Sequence, residues 1–405
     1  MNDLDRRALL QLLGLSALTL PLAGCERGDA AMAIADVARA PQGDPVRSTL
    51  TKFAAGLLDA MPNGNVVVSP TSIAVSLAML GNGASTTTRT EFEKVLGSPI
   101  DALNVELNGL AQRLVAMEGQ KGTEMTFWNA LWLQKGHWQQ PFLEAMKRWY
   151  GAGVRLADFV NDPAAVVTAI NAFADIGTNG LVPSIVDNSM VTRDTRIVTG
   201  NAMYIKGSWV TDFVKELTTK EPFGTGSGAQ VSADTMHASW RIPYLQSGLV
   251  TSVALPFRHE DLAFIVALPM STGPVKLTGL PDLCDVLDAD EALVDLALPK
   301  FHAEFTSSLK AALTGLGLVD AWNDAADFTG MTGDRSLQLG FVQHKAVVTV
   351  DETGAKAAAV TAGGAETTSM PMSRDFHVDR AFLWAIAHVP TRSLVMIGRE
   401  DDPTS

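Results

Sequence analysis

Cysteine, clustered positive charge and catalytic signatures are what this chain has little or none of. Its 405 residues include two cysteines, Cys25 and Cys284. Lys and Arg number 31 against 44 Asp and Glu, giving a net charge of −13. No block of Lys or Arg is long enough to follow a phosphate backbone, so nucleic acid is not an expected partner. Seven histidines are present, yet HExxH, CxxC, a Walker A loop and a G-x-S-x-G elbow are all missing. "GTGSG", residues 224–228, reads as a hairpin loop, and "HED", residues 259–261, as a solvated turn between two strands. No constellation supports an enzyme, and neither a metal nor a cofactor is expected.

What the chain does have is apolar residues, 47% of the total, enough for a large core. "SPTSIAVSLAMLGNG" predicts a helix with Ser69 as N-cap, Pro70 as its first residue and Gly81 as its stop. Its residues are apolar nearly all round, which marks a buried helix. The second half turns to β-type runs: "RIVTGNAMYI", "LVTSVALPF", "LAFIVALP", "VDLALPKFHAEF", "KAVVTV", "AFLWAIAHV" and "SLVMIGR". One helical pattern, "SSLKAALTGLGL", lies among them. Helices first and strands mostly after, without strict alternation, predict an α+β fold. With no repeat and no later linker, 48–405 reads as a single domain.

The N-terminal "MNDLDRRALLQLLGLSALTLPLAGC" places two arginines before an apolar run too short to span a membrane as a mature helix, and right for a signal peptide. "LAGC", ending at Cys25, resembles the lipobox of bacterial lipoproteins. That resemblance implies removal of residues 1–24, acylation of Cys25 and an exported domain held to the cell envelope, on its periplasmic or surface face, by lipid alone. "DRRALL" resembles a twin-arginine signal, although ordinary signals share the feature. Cys284 would then be the only thiol left in the domain, so no intrachain disulfide is expected. In "DLCDVL" it reads as a small buried hydrophobe. Residues 25–47, rich in Ala, Pro, Gly and charge, read as a flexible tether.

A different poverty marks the stretch from Asp351 to Ser373, "DETGAKAAAVTAGGAETTSMPMS". Alternate residues Ala355, Ala357, Ala359, Thr361, Gly363, Ala365 and Thr367 are all small and uncharged, and Lys356, Val360 and Glu366 fall on the other parity. In an extended chain these sets face opposite sides. No proline interrupts the run before Pro371. Composition alone fits either a flexible loop or a strand-to-be whose narrow face can enter a tight space.

"HKAVVTVDETGAKAAAV", residues 344–360, resembles the strand and hinge that lead into the reactive loop of the serpins. "NVVVSPTSIAVSLAMLGNGA", "NGLVPSIV", "GNAMYIKGSWVTDF", "LPKFHAEF", "LGLVDAWNDAADFTGM" and "FLWAIAHVPTRSLVMIGR" resemble further segments of that family, in its order, from Ser48 to Arg399. The resemblance implies three β-sheets, about nine helices and an exposed loop over about 353–374. It implies a suicide inhibitor of serine proteases, and in some members of cysteine proteases. The partner is then the target protease, held as a covalent acyl-enzyme while the cut loop enters the large sheet as a new central strand. The inhibitor itself is expected to be a monomer. A serpin-fold protein that binds, or is merely cleaved, is the alternative.

Carried over residue by residue, the resemblance makes Glu352, Gly354, Ala355, Ala357, Ala358 and Ala359 the hinge. Ser69, Ser72, Asn201 and His344 match the shutter, where the sheet must part, and Trp209 the breach, where insertion begins. Family spacing puts the scissile bond at Thr368-Ser369, with Glu366-Thr367 and Met370-Pro371 within a shift of two. Ala355 stands where threonine is usual and Ala381 where proline is usual, and the pair Gly363-Gly364 makes this loop more flexible than most inhibitory ones.

Overall fold

The structure is a computed structural model describing residues 38–151, 154–178, 180, 182–271, 276–352 and 373–405. Cys25 and the loop positions Gly354, Ala355, Ala357, Ala358, Ala359, Thr368 and Ser369 lie outside the described residues. The N-terminal half supplies helices α1 (Thr51–Asp59), α2 (Pro70–Gly81), α3 (Thr86–Leu96), α4 (Ile100–Met117), α5 (Gln140–Ala145, continued by a π-turn Met146–Tyr150) and α6 (Pro163–Gly177). Strands β1 (Val66–Val68), β2 (Glu124–Gln134), β3 (Val154–Ala157) and β4 (Ile197–Lys206) are set among them. There follow β5 (Thr219–Gly224), β6 (Gln230–Gln246), β7 (Val250–Pro256), β8 (Leu262–Pro269), β9 (Glu291–Pro299) and β10 (Phe301–Ser308). The C-terminal part holds α7 (Lys310–Leu316), α8 (Thr329–Thr332), β11 (Gln343–Val350), β12 (Arg374–His377), β13 (Phe382–His388) and β14 (Ser393–Glu400).

One sheet has five strands, in the order β10-β11-β4-β2-β3. The others join through β6, whose length lets it serve two surfaces: Thr235–Pro243 pairs with β9, and Tyr244–Gln246 pairs with β7. This gives β1-β14-β13-β8-β7-β6 and β5-β6-β9-β12 as second and third sheets. The expected α+β class and three sheets are therefore present. The "GTGSG" segment is the hairpin between β5 and β6, closed by Thr225 N–H on Ala229 O at 2.8 Å. "HED" is a turn between β7 and β8, but His259 within it is buried rather than solvated, which corrects that reading.

All twelve residues of α2 are buried, as an all-round apolar helix requires. Ser69 caps it by accepting from Ser72 N–H at 3.1 Å, satisfying one of the donors left at a helix start. Cys284 lies in a short 3-10 helix, 1% exposed, and burial pushes its thiol up to about 12, so it packs as a hydrophobe and does not react. Among the described residues no helix is long and apolar enough to cross a membrane.

The tether reading of 25–47 is corrected over residues 39–43. These lie on α4: Asn108 donates to Ala40 O and Pro41 O, accepts from Arg39 Nε at 3.1 Å, and Gln112 also donates to Ala40 O. Ala40 N–H reaches Arg148 O at 2.7 Å. Gly109 makes the close approach possible, since a Cβ there would lie 2.7 Å from Gln42 O. Glu106, one turn earlier on the same helix, receives Ser48 Oγ, Thr49 N–H and Thr49 Oγ1. Composition misjudges this segment because its partners are main-chain carbonyls, which any sequence offers.

One buried group works against the fold. Glu400 pairs with Phe382 across β13 and β14 and so shares its face, where Phe382 meets Phe223 and Phe301 edge-on. Glu400 is 0% exposed and neither carboxyl oxygen has a partner. Burial, then the nearby charges of Asp401 and Asp402, raise its pKa to about 9. A raised carboxyl pKa means the folded state holds a proton that the unfolded state releases, so stability falls as pH climbs from about 4.5 towards 9. At pH 7 the cost is on the order of 3 kcal/mol. Glu400→Val is expected to raise the urea unfolding midpoint at pH 7 by an equivalent of about 2–3 kcal/mol, with the gain shrinking towards pH 4.5. An unchanged midpoint would show that the carboxyl finds a partner in solution.

Candidate functional site

The site grows from one pairing in the five-stranded sheet. β11 and β4 are parallel neighbours, in register from Gln343–Gly200 to Val348–Ile205. On its other side β11 runs antiparallel to β10, and β4 runs antiparallel to β2. A chain leaving the end of β11 and doubling back would be antiparallel to both strands of this seam. Parallel pairing is the slightly weaker kind, and this seam is the parallel pair inside the sheet, the other, β2–β3, lying at its edge. At its upper end Thr349 and Val350 still pair with β10 but no longer with β4. There a small cleft is lined by Ile205, Gly207, Trp209, Phe257, Val348 and Val350.

Trp209 closes that end. Its indole stacks on Phe257 with centroids 4.9 Å apart, meets Phe213 and Phe264 edge-on, and donates Nε1–H to Asp351 O at 2.9 Å. Glu352, 5% exposed, follows at once. Its carboxylate receives Lys300 Nζ at 2.9 Å and Thr218 Oγ1 at 2.9 Å, and its carbonyl receives Phe213 N–H at 3.1 Å. Burial acts to raise the Glu352 pKa, and the bonds from Lys300, its own backbone N–H and Thr218 outweigh it and hold the carboxyl below its ordinary value. The last described residue before the loop is therefore fixed by side chain and backbone together.

Lower on the seam a buried polar row crosses the sheet. Register aligns Ser307 of β10, His344 of β11, Asn201 of β4 and Asn129 of β2. His344 Nε2 accepts from Ser69 N–H at 3.1 Å, which leaves Nδ1 as the donor to Asn201 Oδ1. Asn201 Nδ2 in turn bonds Ser76 Oγ and Gln343 O, both at 3.2 Å. Ser72 Oγ donates to Asn129 Oδ1 at 3.3 Å, and Ser69 Oγ donates to Val395 O at 2.7 Å. His344, Asn201, Ser69, Ser72 and Ser76 are all 0% exposed. The network clamps the start of α2 under the seam, and parting β4 from β11 requires the His344–Asn201 bond to break.

The structure thus brings Ser69, Ser72, Asn201 and His344 together and places Trp209 and Glu352 at the upper end of the same seam. Sequence reasoning missed Asn129, Ser76, Lys300 and Thr218. Ser76 had a signal: Ser69, Ser72 and Ser76 form a polar stripe at helical spacing on an otherwise apolar helix. Lys300 and Thr218 had none, since each meets Glu352 only through the fold.

Among the described residues no group of three or more His, Cys, Asp or Glu is placed to hold a metal ion. The nearest approach to a hydrolytic relay is His388 Nδ1 with Thr391 Oγ1 at 2.6 Å and Thr391 with Ser393 Oγ at 2.8 Å. All three are buried beyond the reach of substrate.

Burial lowers the His344 pKa to about 3, so the ring is neutral, as the bond it accepts from Ser69 demands. The folded state refuses a proton that the unfolded state takes up near pH 6.5, so stability is full above that pH and falls as pH drops towards 3. His388, lowered by burial to about 4, acts in the same direction. Between pH 7 and pH 5 each ring is expected to cost about 2 kcal/mol. Urea midpoints at the two pH values, taken in a Glu400→Val background so that the opposing carboxyl does not contribute, check this: His344→Gln should lose roughly half the pH dependence, and an unchanged dependence would mean that His344 is not held neutral.

The family model described as "Serpin (serine protease inhibitor)" matches residues 48–403. Among similar proteins, the leukocyte elastase inhibitor of Sus scrofa is 30% identical, over 87% of this chain and 98% of its own length. Serpin B3 of Homo sapiens is 32% identical, over 84% and 94%. A serpin-like protein of Methanosarcina mazei is 29% identical, over 84% and 82%. Among solved structures, the thermophilic serpin tengpin in its native state superposes with a TM-score of 0.78 at 24% identity, covering 90% of this chain and 97% of tengpin. Maspin gives 0.79 at 22%, covering 87% and 97%; at these identities both likenesses speak for the fold alone. With the family model spanning nearly all the described residues and the ordered relatives agreeing, the chain belongs to the serpin family.

Proposed function

We propose that this serpin is a suicide inhibitor of serine proteases. The observation that carries the reading is the unfilled parallel seam between β4 and β11, with β11 running straight into the small-residue segment 353–372. The protease serine attacks the Thr368 carbonyl, the Thr368-Ser369 bond breaks, and Thr368 is left as an ester on the enzyme while Ser369 becomes a new amino terminus. The freed segment then has a place in the sheet, antiparallel to β11 and to β4. One parallel ladder is exchanged for two antiparallel ones. Ala355, Ala357, Ala359 and Thr361 would face the helices beneath, and Lys356 the solvent, so insertion buries no charge.

Gly354 permits the reversal of direction after Glu352, and Ala358 continues the run of small hinge residues. The Lys300–Glu352–Thr218 group holds the pivot while the chain swings, and the His344–Asn201 bond is the resistance it must overcome. Trapping succeeds if insertion outruns hydrolysis of the ester. We also propose that the domain works as a monomer on a lipid anchor at Cys25 in a bacterial cell envelope. The names of the elastase-inhibitor relatives and a threonine before the cut favour an elastase-like or subtilisin-like target.

Incubating the domain with elastase-like, subtilisin-like, chymotrypsin-like and trypsin-like proteases tests this. A denaturant-resistant band at the summed masses is expected, with a released peptide beginning at Ser369. Ala357→Arg puts a charge on the inserting face, at a cost of several kcal/mol on the order of a buried charge, and should abolish the band while cleavage persists. Cleavage without any such band in the natural protein would make it a substrate and refute the proposal. For the anchor, Cys25→Ala is expected to move the protein from the membrane to the soluble fraction, and a membrane fraction unaffected by the change would count against lipidation.

A further inference from the structure

β12, Arg374–His377, is the first strand after the loop, and little holds it. Among the described residues it lies at the edge of its sheet, pairs only with β9, in parallel, and buries one side chain, Phe376. Its hold on the sheet decides more than local order. Residues 353–368 inserted as a strand would extend about 50 Å, and residues 369–372 span at most about 14 Å. An uncut loop can therefore enter the seam fully only if β12 comes away, whereas a cut loop need not disturb it. The bonds on β12 keep insertion conditional on cleavage.

One such bond lies on the solvent side of the sheet. His237 of β6, Ala297 of β9 and His377 of β12 form one row in register. Over the small Ala297 side chain reaches Glu221 of β5. One carboxyl oxygen is 2.8 Å from His237 Nε2 and the other 2.8 Å from His377 Nε2. Thr219 Oγ1 steadies the carboxylate at 3.1 Å. Because the carboxylate itself fills the space between the rings, the three groups bridge strands and leave no seat for a metal. We propose that Glu221, through His377, is a positioning residue: a clasp that pins the strand downstream of the loop. This rests on the inhibitor reading for its purpose, though not for its existence.

The surrounding charges do not supplant Glu221. Lys220 of β5 is paired with Asp234 of β6 at 3.2 Å. Asp295 of β9 accepts from Ser239 at 2.7 Å. Lys300 is engaged by Glu352, and Arg380 by Asp379. Arg241 stands opposite Leu293, four residues along β6 from His237, while Arg374 and Asp375 precede His377 on β12. Lys215 and Glu216 lie in the short helix before β5.

Two measurements on the whole domain test the clasp. Hydrogen exchange of the peptide spanning β12 is expected to speed up by about fivefold in Glu221→Ala and in His377→Ala, the scale of a partly exposed ion pair. The half-life of inhibitory activity on standing should shorten by a similar factor, while the rate of complex formation with protease is unchanged. His377→Gln keeps a donor within reach of Glu221 and should retain most of the wild-type half-life. Unchanged exchange in Glu221→Ala, or a half-life in His377→Gln as short as in His377→Ala, overturns the clasp. Faster exchange in a protein that traps no protease would leave the clasp standing and overturn the inhibitor reading instead.

Discussion

Two strands pointing the same way and lying side by side, β4 and β11, are the contact on which everything else in this molecule depends. The chain between them, 207–342, builds β5 to β10 and two helices before it returns, so the two halves of the sheet meet late in sequence and over only six residue pairs. Such a seam invites a third strand. It has unpaired length at its upper end, an orientation that suits an antiparallel guest on both sides, and a following segment of small side chains.

What keeps the seam shut is directional. Apolar packing weakens gradually as surfaces slide apart, whereas the bonds from His344 to Asn201 and from Ser69 to His344 are made or broken. Buried and fully partnered, such a network favours one arrangement over intermediate ones, because each half-open state leaves polar groups unsatisfied in a low dielectric. A sheet with two discrete states is what a trap requires. The neutral imidazole is part of this, since a second ring proton would confront the Ser69 N–H it now accepts.

Much of this was legible in the residues. The buried helix α2 showed itself through Ser69, Pro70 and an apolar surface all round, and β11, β13 and β14 through β-branched runs. Asn201, His344 and Trp209 were singled out by resemblance, and the fold sets the first two side by side on the seam and the third at its upper end. What stayed hidden has a common cause. β2 was overlooked in a helix-rich half, because "EMTFWNALWLQ" offers no clean alternation of apolar and polar residues. Lys300, Thr218, Asn129 and Glu221 act only on partners far away in sequence, and a Glu on a strand looks the same whether it meets water, two histidines or, as at position 400, nothing. The docked stretch 39–43 uses main-chain carbonyls, which leave no mark in a sequence.

That docked stretch has a mechanical consequence. A pull on the chain upstream of residue 38 is received by Asn108, Gln112 and the Arg148 carbonyl, and one turn further on by Glu106, all on α4 or the π-turn beside it. Those bonds lie in series ahead of α1, so load spreads into the helical layer before it reaches any strand. A load applied from that side therefore does not supply the shear needed to part β4 from β11.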